Sequence, residues 1–285
     1  MNRRTLIGAG AGLGALVFAA RRAWSDTPGE LRWAVDYGPA TDPVLARGYA
    51  LLVLEPHHPR PIAPLRGPGS RLLGYVSLGE IERQRPYFAA LDAAGALGKP
   101  NPDWPDARRV DLRHPAWTRA VVEEIVPAIL ALGYDGIFID TMDNAEAMER
   151  QDPIGNKGMV AAGAALIAAV RAAFPAIRIM LNRGYALLDA AAPAVDHVLG
   201  EAMASRWNFG TKRYDLLSDS DWQWQAERLR AAKAINPALT LHTLDYWQPA
   251  DKAGVARLYA RERAAGFSPY VATLALDRLW PEPGR

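Results

Sequence analysis

Eight short apolar runs, nearly all closing on an acidic residue, constrain this chain more than any other feature. They are LRWAVDYG (31–38), ALLVLEP (50–56), RLLGYVSLGE (71–80), GIFIDTMD (136–143), IRIMLNRG (177–184), DHVLGEAM (196–203), LTLHTLDYW (239–247) and SPYVATLALD (268–277). A stretch such as Gly136-Ile137-Phe138-Ile139 shows no apolar/polar alternation, which is the pattern of a strand buried on both faces. Helical patterns lie between several of the runs. The clearest is HPAWTRAVVEEIVPAILALG, with Pro115 in its first turn and Gly133 where a C-cap belongs. GMVAAGAALIAAVRAAF, DWQWQAERLRAAKAI and DKAGVARLYARERAAG are others, and their Ala-rich faces suit close packing on a sheet. Alternating strands and helices predict a parallel α/β sheet. Eight repeats of that unit favour a closed (β/α)8 TIM-type barrel over an open doubly wound sheet. The Pro-rich EPHHPRPIAPLRGPG (55–69) reads as a long loop after the second strand, and no internal sequence repeat is evident.

Residues 1–25 read as an export segment outside that fold. Arg3-Arg4 precedes the apolar TLIGAGAGLGALVFAA, and Ala23-Trp24-Ser25 supplies a small-x-small cleavage pattern. The paired arginines favour the twin-arginine type. The apolar run is Gly-rich and shorter than the roughly 20 residues that span a bilayer, so an uncleaved anchor is the lesser reading. A single barrel domain, 26–285, is expected, periplasmic or secreted, with no stable membrane insertion after trimming and no oligomer implied beyond a monomer. The chain contains no cysteine, which excludes disulfides, thiolate metal sites and lipid attachment through a Cys. Without the four arginines of the export segment the chain carries 29 basic against 31 acidic residues, a net charge of −2. No basic stripe for nucleic acid is present. A barrel of about 250 residues fits the remaining length.

The C-terminal ends of the predicted strands carry Asp36, Glu55, Glu80, Asp140, Asn182-Arg183, Glu201, Asp245 and Asp277. In a barrel these ends converge on one face, so the pattern predicts an acidic pocket. Any one acid is equally well a helix N-cap or half of an ion pair. So many together call for chemistry, because like charges gathered at one rim repel. Three chemistries use such groups. A divalent ion would need Asp140, Asp143 and a third carboxylate, with His57-His58 as added nitrogen donors, but that His pair has no partner at ligand spacing. An aspartyl phosphoryl-transfer site has two Asp one residue apart, whereas Asp140 and Asp143 are separated by two. Glycosidic hydrolysis needs two carboxyls flanking the bond, together with flat apolar surfaces for the sugar ring. The same loops offer Tyr37, Tyr75, Trp207, Phe209, Tyr246, Trp247 and Tyr270.

The stretches WAVDYG, GYVSLGEIE, VDLRHPAW, GYDGIFIDTMDN, LNRG, VLGEAM and FSPYVAT, in this order from Trp33 to Thr273, resemble the endo-α-1,4-polygalactosaminidases of glycoside hydrolase family 114. That family includes the hydrolase domain of Pel polysaccharide enzymes. The resemblance implies a barrel that cleaves an α-1,4-linked galactosamine-containing polymer without a cofactor or metal. It implies Asp140 and Glu201 as the catalytic pair. Asp36, Tyr75, Ser77, Glu80, Asn182, Tyr246 and Tyr270 then look like substrate-lining positions, and the strand-end and loop reading adds Tyr37, Asp143, Arg183, Trp207 and Asp245 as expected substrate contacts. In this reading Asp140 is the nucleophile or base, with Asn144 and Arg183 at hand to keep it charged, and Glu201 is the general acid. The rival readings are a non-catalytic amino-sugar-binding barrel and a metal-dependent polysaccharide deacetylase.

Overall fold

A computed structural model of the chain describes residues 31–101 and 105–284. The proposed export segment lies outside the described residues. All eight predicted strands form: β1 (Trp33–Asp36), β2 (Leu51–Leu54), β3 (Arg71–Ser77), β4 (Gly136–Asp140), β5 (Arg178–Asn182), β6 (His197–Glu201), β7 (Thr240–Tyr246) and β8 (Ser268–Ala272). They pair in parallel and in chain order in one eight-stranded sheet. The sheet curls into a nearly closed barrel. Across the seam between β1 and β8, Trp33 Nε1 donates to Ser268 O at 2.7 Å and Tyr37 N donates to Leu276 O at 2.6 Å.

The strands are apolar without alternation because both of their faces are covered. Leu51, Leu52, Val53 and Leu54 of β2 all have 0% exposure. Truncating such a residue to Ala costs about 2–5 kcal/mol, since transfer energy and a residual cavity add. At the start of β4, Gly136 is required by the neighbouring backbone: a Cβ there would lie 1.9 Å from Arg178 O on β5.

The outer layer is uneven. Only the one-turn α1 (Pro43–Ala46) separates β1 from β2, and a 3₁₀ turn at Ala63–Leu65 sits in the Pro-rich loop before β3. After β3 comes an unpredicted three-stranded antiparallel sheet, Glu80–Glu82, Ala107–Val110 and Leu97–Pro100, with α2 (Phe88–Ala93) between its strands. α3 follows: it runs Pro115–Ala120, widens into a π-turn at Val121–Ile125 and resumes at Val126–Ala131. Pro127 explains the widening. It has no N–H for the carbonyl four residues back, and its ring crowds that carbonyl. β4 leads to α4 (Asp143–Gln151) and α5 (Met159–Ala173), β5 to the short α6 (Leu188–Ala191), and β7 to α8 (Lys252–Ala264), with α7 (Asp219–Ile235) before β7. A second addition, the hairpin Ser205–Asn208 with Arg213–Leu216, follows β6. Among the described residues no helix is long and apolar enough to cross a membrane.

Candidate active site

The C-terminal ends of β3 to β7 present a continuous row of hydrogen-bonded side chains. Tyr75 Oη of β3 donates to Asp140 Oδ2 at the end of β4 over 3.0 Å. Asn182 Nδ2, at the end of β5, donates to Asp140 Oδ1 at 2.9 Å and to Glu201 Oε2 at 2.6 Å. Tyr246 Oη of β7 donates to Glu201 Oε1 at 2.5 Å. Two bonds from one nitrogen leave the facing carboxyl oxygens no more than about 5.5 Å apart. Every oxygen of both carboxyls accepts a hydrogen bond, so each group is held in orientation as well as position.

Local backbone geometry turns these side chains into the mouth. The residue directly after each central member is left-handed: Thr141 (φ 66°) after Asp140, Arg183 (φ 49°) after Asn182 and Ala202 (φ 53°) after Glu201. Non-glycine residues rarely take this conformation, and a β-branched one scarcely at all, so each turn is held by its surroundings. Arg183 N donates to Leu199 O at 2.8 Å and Ala202 N donates to Leu244 O at 2.8 Å. Thr141 Oγ1 accepts from Gly79 N at 2.8 Å and shares a 2.7 Å hydrogen bond with Ser77 Oγ. Gly79 is the residue that can come this close, because a Cβ there would lie 2.0 Å from Thr141 O.

Burial raises the pKa of Glu201 above the ordinary carboxylate value, and the charge of Asp140 raises it further. The hydrogen bonds from Tyr246 and Asn182 and the Arg183 charge oppose that rise without cancelling it. Tyr75 and Tyr246 are pushed upward, by burial first and then by the neighbouring carboxylate, so both stay protonated donors. Two carboxyls this close, one of them biased toward its protonated form, can serve as the acid and nucleophile of glycosidic bond cleavage.

The profile of glycoside-hydrolase family GH114 matches residues 14–283. The chain belongs to this family. It is 30% identical over 251 residues to an uncharacterized protein from Deinococcus radiodurans, covering 81% of this chain and 75% of that protein. The glycoside hydrolase domain of PelA from Pseudomonas aeruginosa superposes with a TM-score of 0.76 at 25% identity, covering 88% of this chain and 98% of that one. Ega3 from Aspergillus fumigatus, solved in complex with galactosamine, shares the fold at a TM-score of 0.60 and 14% identity, with 89% and 95% of the two chains covered. Family membership and these likenesses make the protein a glycosidase.

Within this GH114 barrel the residues expected to line the substrate divide. Tyr75, Ser77, Glu80 and Asp140 border a cavity of about 910 Å³ between β3, α3 and the inserted sheet, a size that suits a saccharide. Tyr37 packs edge-on against Tyr75, ring centroids 5.1 Å apart. Glu80 is nearly buried and accepts from Asn101 Nδ2 at 2.7 Å and Asn144 Nδ2 at 3.2 Å. Asn144 therefore serves Glu80, and Tyr75 and Asn182 take the place at Asp140 expected for it. Arg183 pairs at 3.1 Å with Asp143, whose Oδ1 also accepts from Gly184 N at 2.7 Å. Burial nevertheless raises the Asp143 pKa. Asp143 is thus committed to the loop after β5 and joins no metal-ligand set. His58 likewise bonds Thr41 and Arg60 O. Among the described residues no group of three or more His, Asp or Glu side chains is arranged to hold a metal.

Other acids of the predicted rim turn away. Asp36 is buried and accepts from Gly38 N at 2.8 Å. Asp245 is buried behind β7, where its Oδ1 accepts from Ala204 N and Ser205 N at 2.7 Å each. Glu55 pairs with Arg85 at 3.3 Å, and Asp277 pairs with Arg278 on the surface. Tyr270 is a core residue whose hydroxyl accepts from Trp280 N at 3.1 Å. Trp207 stands on the hairpin after β6. Sequence reasoning missed Thr141, Gly79 and Tyr214. A polar residue directly after a strand-end acid was the available signal for Thr141.

Proposed function

We propose that the protein hydrolyses an α-1,4-linked, galactosamine-containing polysaccharide with retention of configuration. The observation that carries this reading is the double donation from Asn182, which keeps the facing carboxyl oxygens no more than about 5.5 Å apart, short of the roughly 6.5–9.5 Å that inverting glycosidases use. Asp140 attacks the anomeric carbon and forms a glycosyl ester while the bond to the leaving oxygen breaks. Glu201, biased toward its protonated form, gives its proton to that oxygen. Water then attacks the anomeric carbon, Glu201 takes the water proton, and Asp140 is released. Tyr75 and Asn182 hold the nucleophile, and Tyr246 holds the acid.

The substrate class rests on family membership, on the galactosamine bound to the fold-related Ega3, and on the acids at the cleft. Ammonium groups of a de-N-acetylated polymer would meet Glu80 beside the catalytic pair. The test is initial rates on oligogalactosamine and on its fully N-acetylated form at low and high salt, with NMR of the first-formed anomer. The expected result is release of the α-anomer and faster cleavage of the cationic polymer, the preference shrinking as salt rises. The β-anomer as first product would overturn retention. No cleavage of either polymer would overturn the hydrolase assignment for this substrate and favour a barrel that only binds it.

A further inference from the structure

The hairpin after β6 has two unlike faces. Its cross-strand pairs place Trp207 opposite Tyr214 and Ser205 opposite Leu216 on one face, and Arg206 opposite Asp215 and Asn208 opposite Arg213 on the other. The aromatic face is built onto the barrel mouth. The Trp207 and Tyr214 rings meet at 4.8 Å between centroids, and Tyr214 meets Trp247 at 6.4 Å. Trp247 directly follows Tyr246, which holds Glu201. Tyr214 Oη accepts from Leu274 N in the loop after β8 at 3.2 Å, and Asp245 anchors the hairpin root through Ala204 N and Ser205 N. Loops after three successive strands are thus locked together beside the catalytic acid.

Packing alone does not use this surface up. Trp207, Tyr214 and Trp247 stay half-buried, and Phe209 at the tip is 66% exposed. Half-buried Tyr and Trp rings are the side chains suited to an occupant with apolar and polar parts, which describes the C–H face of a pyranose. Charge separates this end of the cleft from the other. The cavity beyond Asp140 is bordered by Glu80, Glu82, Asp106 and Glu124 against Arg85 and Arg119. The hairpin instead is net positive, with Arg206, Lys212 and Arg213 on its other face and turn against one acid, Asp215, which already accepts from Asn208 Nδ2 at 2.7 Å, a setting that disfavours an ammonium.

We infer that the aromatic face of the 205–216 hairpin is a sugar-binding ledge, holding the polysaccharide chain beyond Glu201 by stacking on uncharged, N-acylated rings. The occupant follows from position: the hairpin begins four residues after Glu201, and its ring pair is fastened to the loops after β7 and β8, on the C-terminal rim that carries the catalytic pair. This rests on the polysaccharide-hydrolase reading, so the test measures binding apart from cleavage. In an Asp140→Asn background, Kd is measured by calorimetry for partly N-acetylated α-1,4-galactosamine oligomers sorted by length, at low and high salt. Longer oligomers are expected to bind more tightly. Trp207→Ala should weaken the long oligomers about tenfold relative to the short ones, equally at both salt concentrations, and Trp207→Tyr should restore most of the loss. Phe209→Ser at the exposed tip, which leaves the ring pair in place, should weaken only the longest oligomers. Trp224→Ala on the outer face of α7 is the control. Equal Kd with and without the Trp207 and Phe209 rings at every length, in a chain whose wild type cleaves the polymer, overturns the ledge and leaves the hydrolase. Length-dependent binding through Trp207 in a chain that cleaves nothing keeps the ledge and overturns the hydrolase.

Discussion

Replacing Asp140 by Asn should lower the pKa of Glu201. Two causes hold that pKa up, burial first and the Asp140 charge second, and the substitution removes only the second. The facing oxygens lie within about 5.5 Å, where two unit charges at an effective dielectric of about 20 repel by about 3 kcal/mol, or about two pKa units. Glu201 is only partly buried, so solvent screening trims the effect, and a downward move smaller than this full repulsion is expected. Asn keeps the shape of Asp and can still accept from Asn182, so the row of hydrogen bonds survives. The variant lacks its nucleophile, which rules out a rate profile. The assay is instead an NMR titration with ¹³C-carboxyl-labelled glutamate, the Glu201 signal assigned by its loss in Glu201→Gln. A Glu201 pKa that stays fixed or rises in Asp140→Asn would refute the reasoning, because the two carboxyls would then not feel one another.

Asp140→Asn and Glu201→Gln should each keep the fold and lose about a thousandfold or more in kcat, as halves of one mechanism. Asp143→Asn should lose only about tenfold, since its contacts are to Gly184 N and Arg183; equal damage in steady-state assays would show that the wrong acid was chosen. At the far end of the barrel, His197 and His242 are buried 3.1 Å apart, and burial pushes His197 down to about 4. The folded chain refuses a proton that the unfolded chain binds below its ordinary value near 6.5. Stability should therefore fall by about 3 kcal/mol as pH drops from 6.5 to 4, and His197→Asn should flatten this slope in urea melts; an unchanged slope counts against it. If residues 1–25 are a twin-arginine export segment, as proposed, Arg3-Arg4→Lys-Lys should trap the protein inside the cell, whereas normal export would point to the general secretory route.

The barrel was legible because its strands are buried on both faces, which leaves a compositional mark. Runs such as LLVL and GIFI cannot be placed at a surface. The inserted sheet left no such mark: its strands EIE, LGKP and ARRV are short, mixed with charge and only partly buried. The hairpin strands SRWN and RYDL were hidden for the same reason. Helix α3 was predicted from its period and ends, but its π-turn was not. Pro127 announced a disturbance without saying whether the helix would break, kink or widen.

Strand ends were harder than strands because one residue of register decides which way a side chain faces. Asp245 and Tyr246 show this. Tyr246 points to Glu201, so its neighbour Asp245 points outward and braces the hairpin root. Counting acids near strand ends therefore overstated the charge of the cleft. Glu55 and Asp143 have arginine partners, and Asp36 and Asp245 accept from backbone N–H groups. Of the acids bordering the cavity, Glu80 is held by neutral amides, and Glu82, Asp106 and Glu124 stand along the same wall with Arg85 and Arg119. The preference for a cationic polymer should shrink accordingly. One ammonium about 4 Å from one carboxylate gains from about 1 kcal/mol in water to about 4 kcal/mol at a protein surface. After the cost of desolvating the amine, a preference of about tenfold to a hundredfold at low salt is expected, falling severalfold at high salt. Removing the Glu80 charge with Glu80→Gln should abolish most of it. A preference that survives Glu80→Gln intact would place the recognition of the amine elsewhere in the cleft, with Glu82, Asp106, Glu124 and the catalytic pair itself as the remaining sources of negative charge.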